Sequence, residues 1–132
     1  MVFVDSNIVF DMWDHDPVWE PWSRSQFLRL SLLEEIAINP IIFGELASRF
    51  EHRINLDRAL ESLRLILIGI PREAAFLAGK AFVEYRKRGG TKTGVLPDFF
   101  IGAQASVMGA TLLTRDVTRS KTYFPSVRLI TP

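Results

Sequence analysis

Residues 2–13 read Val2-Phe3-Val4-Asp5-Ser6-Asn7-Ile8-Val9-Phe10-Asp11-Met12-Trp13, and this stretch decides the fold class. Val2 to Val4 is a short unbroken apolar run, the pattern of a buried strand, and Asn7 to Trp13 reads as a short helix. Asp5 ends the strand where the helix begins. The same alternation runs on through the chain. After the turn Asp14-His15-Asp16-Pro17, a helix is predicted from about Trp22 to Glu35, with Phe27, Leu28, Leu30, Leu32 and Leu33 as its apolar face. Glu35 to Asn39 forms a second strand, and Pro40, suited to a first helical turn, opens a helix through about Phe50. Leu56 to Leu63 is helical, and Leu65 to Ile68 is a third strand ended by Gly69. A long helix follows from Pro71 to Arg88, and then the loop Gly89-Gly90-Thr91-Lys92-Thr93-Gly94. Pro97 to Met108 is helical, Thr111 to Leu113 is a fourth strand, and Val127 to Ile130 is a last one. Strands alternating with helices imply a three-layer α/β/α sandwich around a mostly parallel sheet of four to five strands.

The bulk properties agree with one domain spanning residues 1–132. The chain is too short for an eight-fold β/α barrel, which takes roughly 200 residues or more. Hydrophobic residues make up 48% and aromatic residues 11%, enough for a core and too many for disorder. Lys and Arg total 16 against 15 Asp and Glu, so any nucleic-acid contact must come from a local basic patch rather than from global charge. No cysteine is present, which rules out disulfides, thiolate metal sites and a cysteine nucleophile. No long apolar span or apolar leader is evident, so a soluble, cytoplasmic protein without membrane contact is expected.

Four carboxylates stand at telling places. Asp5 ends the first strand, Glu45 lies within the helix opened by Pro40, Asp98 follows Pro97 at the head of a helix, and Asp116 closes Thr111-Leu112-Leu113-Thr114-Arg115. Carboxyl ends of parallel strands gather at one edge of the sheet. Acids collected there repel one another unless a cation holds them, and ligation by oxygen alone suits Mg²⁺ or Mn²⁺.

The blocks VFVDSNIVFD, PIIFGELASRF, GVLPDFFIGAQA and TLLTRD, in this order, resemble the four motif blocks of PIN-domain nucleases. The likeness is strongest to the VapC toxins of type II toxin–antitoxin pairs and runs nearly end to end. It implies a Mg²⁺-dependent endoribonuclease, usually dimeric, held inactive by a cognate antitoxin in a hetero-oligomer. The family's acidic quartet falls on Asp5, Glu45, Asp98 and Asp116, its small polar residue beside the last acid on Thr114, and the residue two after the first acid on Asn7.

The chemistry of the residues suits that expectation. Phosphodiester hydrolysis needs an activated water and positive charge to offset that growing on the phosphate, and a divalent cation supplies both. Asp5 and Asp98 are the expected direct ligands, with Asp116 bound directly or through water. Glu45 orients the water, and Asn7 and Thr114 hydrogen-bond the acids. Each acid has a plainer reading too: Asp5 and Asp116 as helix N-caps, Asp98 as a favourable charge at a helix N-terminus, and Glu45 as a solvated helix residue. Glu45, however, sits among Ile41, Ile42, Phe43, Leu46 and Ala47, where a charge needs a partner or a cleft.

Outside the quartet, Arg86, Lys87, Arg88 and Lys92 suit either a helix C-terminus or RNA phosphates, with Arg115, Arg119 and Lys121 adding charge beside Asp116. Met12, Trp13, Trp19, Trp22 and Phe27 are either core or the groove of an antitoxin. His15 and His52 are isolated, and no serine lies in a nucleophile elbow. The glycine-rich loop at 89–94 follows a helix and lacks the spacing of a phosphate loop. Three rivals are weighed against the nuclease. A haloacid-dehalogenase-type phosphatase would need its second Asp where Asn7 stands. A phosphorylation receiver would need an acceptor at a strand end, whereas Asp57 lies in a helical stretch. A non-catalytic RNA- or protein-binding module on the same fold has no need of four acids.

Overall fold

The computed structural model describes residues 1–132. Five short strands, β1 (Val2–Val4), β2 (Ile36–Ile38), β3 (Ile66–Leu67), β4 (Thr111–Leu113) and β5 (Leu129–Ile130), form one sheet in the order β3-β2-β1-β4-β5. Every neighbouring pair is parallel. The helices are α1 (Ser6–Trp13), α2 (Glu20–Ser31), α3 (Pro40–Leu46), α4 (Arg53–Ser62), α5 (Arg72–Lys87), α6 (Pro97–Met108) and α7 (Thr118–Tyr123), with a 3₁₀ turn at Ala47–Arg49. The expected α/β/α class and parallel sheet are what the chain forms.

The strand order explains where a site can arise. From β1 the chain steps outward to β2 and β3, then crosses to the other side of β1 for β4 and β5. Right-handed crossovers put α1–α4 on one face and α5–α7 on the other. The reversal leaves a crevice at the carboxyl ends of β1 and β4, where open α/β sheets bind ligands. In register, Val4 pairs with Leu113, so the residues that follow, Asp5 and Thr114, emerge side by side.

Burial accounts for the strands. Val2, Phe3, Val4, Ala37, Ile38 and Leu113 are fully covered by the two helical layers, which is why these strands read as continuous apolar runs rather than alternating ones. Phe99 of α6 takes Tyr85, Tyr123 and Phe124 edge-on, with ring centroids 5.1–6.5 Å away. Gly102 allows that packing, because a Cβ there would run into the Phe124 ring. Two fully buried polar residues tie α6 to the carboxyl edge. Asn39 caps α3 by accepting from the Ile42 amide at 2.9 Å and donates to Gln104 at 3.1 Å, and Gln104 donates to the Gly69 carbonyl at 3.0 Å.

Several boundaries differ from the sequence reading. The second helix runs from Glu20 to Ser31 and not from Trp22 to Glu35; Leu32 and Leu33, counted in its apolar face, are exposed beyond its end. The helix opened by Pro40 tightens into the 3₁₀ turn after Leu46. The next helix starts three residues early, at Arg53, and the third and last strands keep only two residues each. Helix α7 was not expected at all, since Thr118-Arg119-Ser120-Lys121-Thr122-Tyr123 has almost no apolar periodicity.

Candidate active site at the carboxyl edge

Asp5 is the centre of the arrangement. Its amide continues the ladder by donating to the Leu113 carbonyl at 2.9 Å. Its Oδ1 accepts from the Ser6 amide at 2.7 Å, so it does cap α1. Its Oδ2 accepts from the Thr114 hydroxyl at 2.8 Å and from Asn7 Nδ2 at 3.4 Å. The capping reading and the site reading therefore apply to different oxygens of one carboxylate. Asn7 Oδ1 in turn accepts from the Arg115 amide at 3.3 Å, and Thr114 Oγ1 accepts from the Asp116 amide at 3.0 Å. Asn7 and Thr114 thus hold the turn that follows β4 against the start of α1.

The other acids approach from separate elements. Asp98 sits one residue after Pro97 in the first turn of α6, and its Oδ2 accepts from Arg119 Nη1 of α7 at 2.9 Å. Asp116, exposed, accepts from the Thr118 amide at 3.2 Å, but Val117 rather than Asp116 holds the N-cap position of α7. Asp5, Asp98 and Asp116 line one hollow of about 10 Å³ together with Ile101, Leu112, Arg119 and Ser120, about the room of a single water. Glu45 enters from α3 through Ser6, whose hydroxyl lies 3.2 Å from Glu45 Oε1 and 3.4 Å from Asp5 Oδ1.

The electrostatics follow from this crowding. Burial pushes the Asp5 carboxyl above the ordinary carboxylate range, aided by the negative charges of Asp98 and Asp116 and opposed by its bonds from Thr114 and Ser6. Burial also raises Glu45, with Asp5 and Asp98 adding to the shift. An isolated cap would gain a lowered pKa from its amide bond; here burial, with the neighbouring charges adding to it, reverses the sign. As oriented, no three acidic side chains stand close enough to hold one ion between them, since Asp98 turns to Arg119 and Asp116 to its own helix.

Other sequence expectations fare unevenly. Arg115 does not face the solvent in front of the acids. It forms two bonds to the buried Asp11 carboxylate, at 2.8 and 2.9 Å, and its guanidinium lies 5.1 Å from the centre of the Trp19 ring. The Ser23 hydroxyl donates to the same carboxylate. Arg88 pairs with Glu84 and Arg86 bonds the carbonyls of Gly90 and Lys92, while Lys87 and Lys92 are exposed. Of the aromatic set, Met12 and Phe27 belong to the core, and Phe27 also lines a surface hollow beside Leu28, Leu32 and Ile36. Trp13 is half-buried edge-on against Phe50 at 5.3 Å, and Trp19 and Trp22 are also half-buried. The sequence reading overlooked Ser6, Asp11 and Ser23. Asn7 and Asp11 stand one helical turn apart, a spacing that puts both on the face of α1 turned to Arg115.

With this geometry in place, the family model of the PIN domain matches residues 2–124. No curated protein matches the sequence significantly. Among solved structures the fold is similar to VapBC2 from Rickettsia felis bound to promoter DNA, at 24% identity and a TM-score of 0.72, covering 100% of this chain and 99% of that one. It is also similar to DNA-bound VapBC from Salmonella typhimurium, at 19% identity and 0.72, covering 98% and 96%. A third likeness is to VapC20 of Mycobacterium tuberculosis, a toxin that cleaves the sarcin–ricin loop, at 16% identity and 0.63, covering 97% and 99%.

Proposed function

The chain belongs to the PIN-domain family, and we propose that it is a divalent-metal-dependent endoribonuclease, the VapC-type toxin of a toxin–antitoxin pair. One observation carries the reading: the ends of β1 and β4 and the head of α6 bring Asp5, Asp98 and Asp116 around one small hollow at the switch of the sheet. Burial raises the Asp5 carboxyl and the charges of Asp98 and Asp116 add to it, a tension that a cation would relieve.

The donor set suits Mg²⁺ or Mn²⁺, being oxygen only, with no thiol or imidazole beside it. Asp5, Asp98 and Asp116 would hold the ion after small side-chain rotations of the two more exposed acids. The ion would lower the pKa of an attacking water and offset charge on the phosphate. Asp5 is fixed for this by Thr114, Ser6 and Asn7. Glu45, with its raised pKa, is placed to orient the water and take up its proton. Arg119 supplies a cation beside the reacting phosphate once Asp98 turns away.

The partner follows from the structural likenesses, whose named complexes pair a toxin with an antitoxin. We assign this chain a cognate antitoxin, RNA as substrate, a homodimer within the complex, and a cytoplasmic place of action. No helix is long and apolar enough to cross a membrane. The half-buried Trp13, Trp19 and Trp22 remain our candidates for antitoxin contact.

The test is direct. Purified, antitoxin-free protein should cleave RNA in Mg²⁺ or Mn²⁺, stop in EDTA, and resume when the cation is restored. Asp5→Asn and Asp98→Asn should each lose cleavage and cation affinity while keeping the fold. Cleavage that persists in EDTA through repurification would remove the metal mechanism. One feature favours a second reading, a non-catalytic binding module: Asp98 is turned to Arg119 rather than to Asp5. A protein that binds RNA, binds no cation and cuts nothing would establish that alternative.

A further inference from the structure

Beside the acid cluster, and sharing Asp116 and Arg119 with it, lies a second hollow of about 430 Å³. That volume falls within the roughly 300–1,000 Å³ of small-ligand clefts. Its walls are the end of α5, through Tyr85 and Arg88, and α7, through Thr118, Arg119, Thr122 and Tyr123. Both tyrosine rings are anchored from below by edge-on contact with Phe99, at 5.7 and 5.1 Å. From above they carry guanidinium groups: Arg119 stands 5.9 Å from the Tyr85 ring centre and Arg88 stands 5.5 Å from that of Tyr123.

The glycine-rich loop now has a role. The Lys92 amide donates to the Tyr85 hydroxyl at 3.3 Å, and Arg86 ties the loop down through the carbonyls of Gly90 and Lys92 at 3.3 and 2.9 Å. Gly90 lies so close to the Tyr85 ring that any Cβ would strike it. The loop is therefore a clamp that fixes one aromatic side chain. Rigid aromatic rings with arginines laid over them suit an unpaired base and its flanking phosphates, the guanidinium groups moving off the rings to meet the phosphates. Arg88 is 57% exposed and held by a surface pair with Glu84 and by the Tyr123 ring, contacts weak enough to let it turn towards a phosphate.

We propose that this hollow binds one unpaired nucleotide of the RNA strand, next to the phosphate held at Asp5, Asp98 and Asp116. The base lies against Tyr85 and Tyr123, and the flanking phosphates meet Arg88 and Arg119. A paired base keeps both faces stacked within its helix and has none to offer, so the substrate is a single-stranded segment or loop. The proposal rests on the ribonuclease reading for the identity of the strand, and on the two tyrosines for the site.

Binding is measured by fluorescence anisotropy in EDTA, so that cleavage is silent. The probes are an unstructured labelled RNA of about a dozen nucleotides, its duplex, and a series with a single abasic residue at each position. Stacking on an aromatic residue is worth about 5- to 160-fold in affinity per base. The single strand should bind at least tenfold more tightly than the duplex, and one abasic position should lose at least fivefold. Tyr123→Leu, which keeps apolar contact with Phe99, should bind the intact strand as weakly as the wild type binds the abasic one, with no further loss on the abasic strand. Should Tyr123→Leu fail to fold, the exposed Arg88→Gln and the abasic series in the wild type decide the matter. Equal binding of strand and duplex, or an abasic series without effect, overturns the subsite even if the protein cleaves RNA. A protein that shows the abasic pattern yet cuts nothing in any divalent cation keeps the subsite and loses the nuclease.

Discussion

The Asp11→Ala substitution tests whether the acid cluster depends on an ion pair buried behind it. The Asp11 side chain is 3% exposed and receives two bonds from Arg115, whose side chain is 28% exposed, and a third from the Ser23 hydroxyl. Cutting a fully buried pair by removing one partner costs roughly 3–5 kcal/mol, and cutting a surface pair roughly 0–1 kcal/mol. Here the guanidinium keeps access to water, but the Ser23 hydroxyl is stranded in the core. The expected loss is therefore about 2–4 kcal/mol, part of it the roughly 1–3 kcal/mol for an unsatisfied buried group. For 132 residues, an unfolding entropy of about 2.1 cal/mol/K per residue gives roughly 0.28 kcal/mol/K, so Tm should fall by about 10 °C.

The functional effect should exceed what destabilisation explains. Arg115 lies between Thr114, which bonds Asp5, and Asp116, and its amide bonds Asn7. Freed from Asp11, the 114–116 turn loses its link to the end of α1 and to α2 and keeps the bonds to Asp5 and Asn7. Assayed well below its Tm, the variant should bind divalent cations more weakly and cleave RNA at least tenfold more slowly. Adding Ser23→Ala removes the stranded hydroxyl, so the double variant should be no less stable than Asp11→Ala alone, and cleavage should stay low. A Tm within about 2 °C of the parent would refute the energetic argument, and parental cleavage in a destabilised protein would refute the positioning argument.

Asp5→Asn should stabilise the cation-free protein at neutral pH. The raised Asp5 and Glu45 values mean that stability from their protons is fully present below the ordinary carboxylate pKa and is lost as pH rises through the folded values. The difference in Tm between Asp5→Asn and wild type should accordingly grow as pH rises above the ordinary Asp range, then level off; a difference flat from pH 3 to 8 would contradict the shift. Arg119→Ala frees Asp98 and leaves the cluster more negative. Calorimetry in the absence of RNA should then show tighter Mn²⁺ binding, by up to about 5-fold on the scale of a surface charge pair, while cleavage slows; weaker Mn²⁺ binding would show that Arg119 does not compete with the ion. Gly102→Ala drives a methyl into the Phe124 ring and should cost about 1–3 kcal/mol by overpacking, read as a lower denaturation midpoint; an unchanged midpoint would show that α7 yields freely. Arg88→Gln should lower the salt slope of single-strand binding by about 0.7, the contribution of one phosphate contact; an unchanged slope would place that arginine off the strand.

What the sequence made legible, and what it hid, divides along a physical line. Strands covered on both faces show themselves as apolar runs, so β1, β2 and β4 and the parallel class could be read directly. Acids at strand ends could be read too, because the chain punctuates them with Pro97 and with the turn after Leu113. Hidden were contacts set by the pairing of distant segments. Arg115 looks like a surface cation beside an acid, but the register that puts Thr114 next to Asp5 also turns Arg115 onto Asp11, 104 residues away. Met12 and Phe27 read as exposed aromatic or apolar side chains, yet the packing of α1 on α2 takes both into the core. Helix α7 was invisible because it is held by Tyr123 and the adjoining Phe124 packing on Phe99 of α6 rather than by an apolar stripe of its own. That same unexpected helix carries Arg119 and Tyr123. The cation opposite Asp98 and one wall of the nucleotide hollow therefore rest on the segment whose sequence advertises its structure least, and variants there test the site more sharply than variants in the motifs that reveal it.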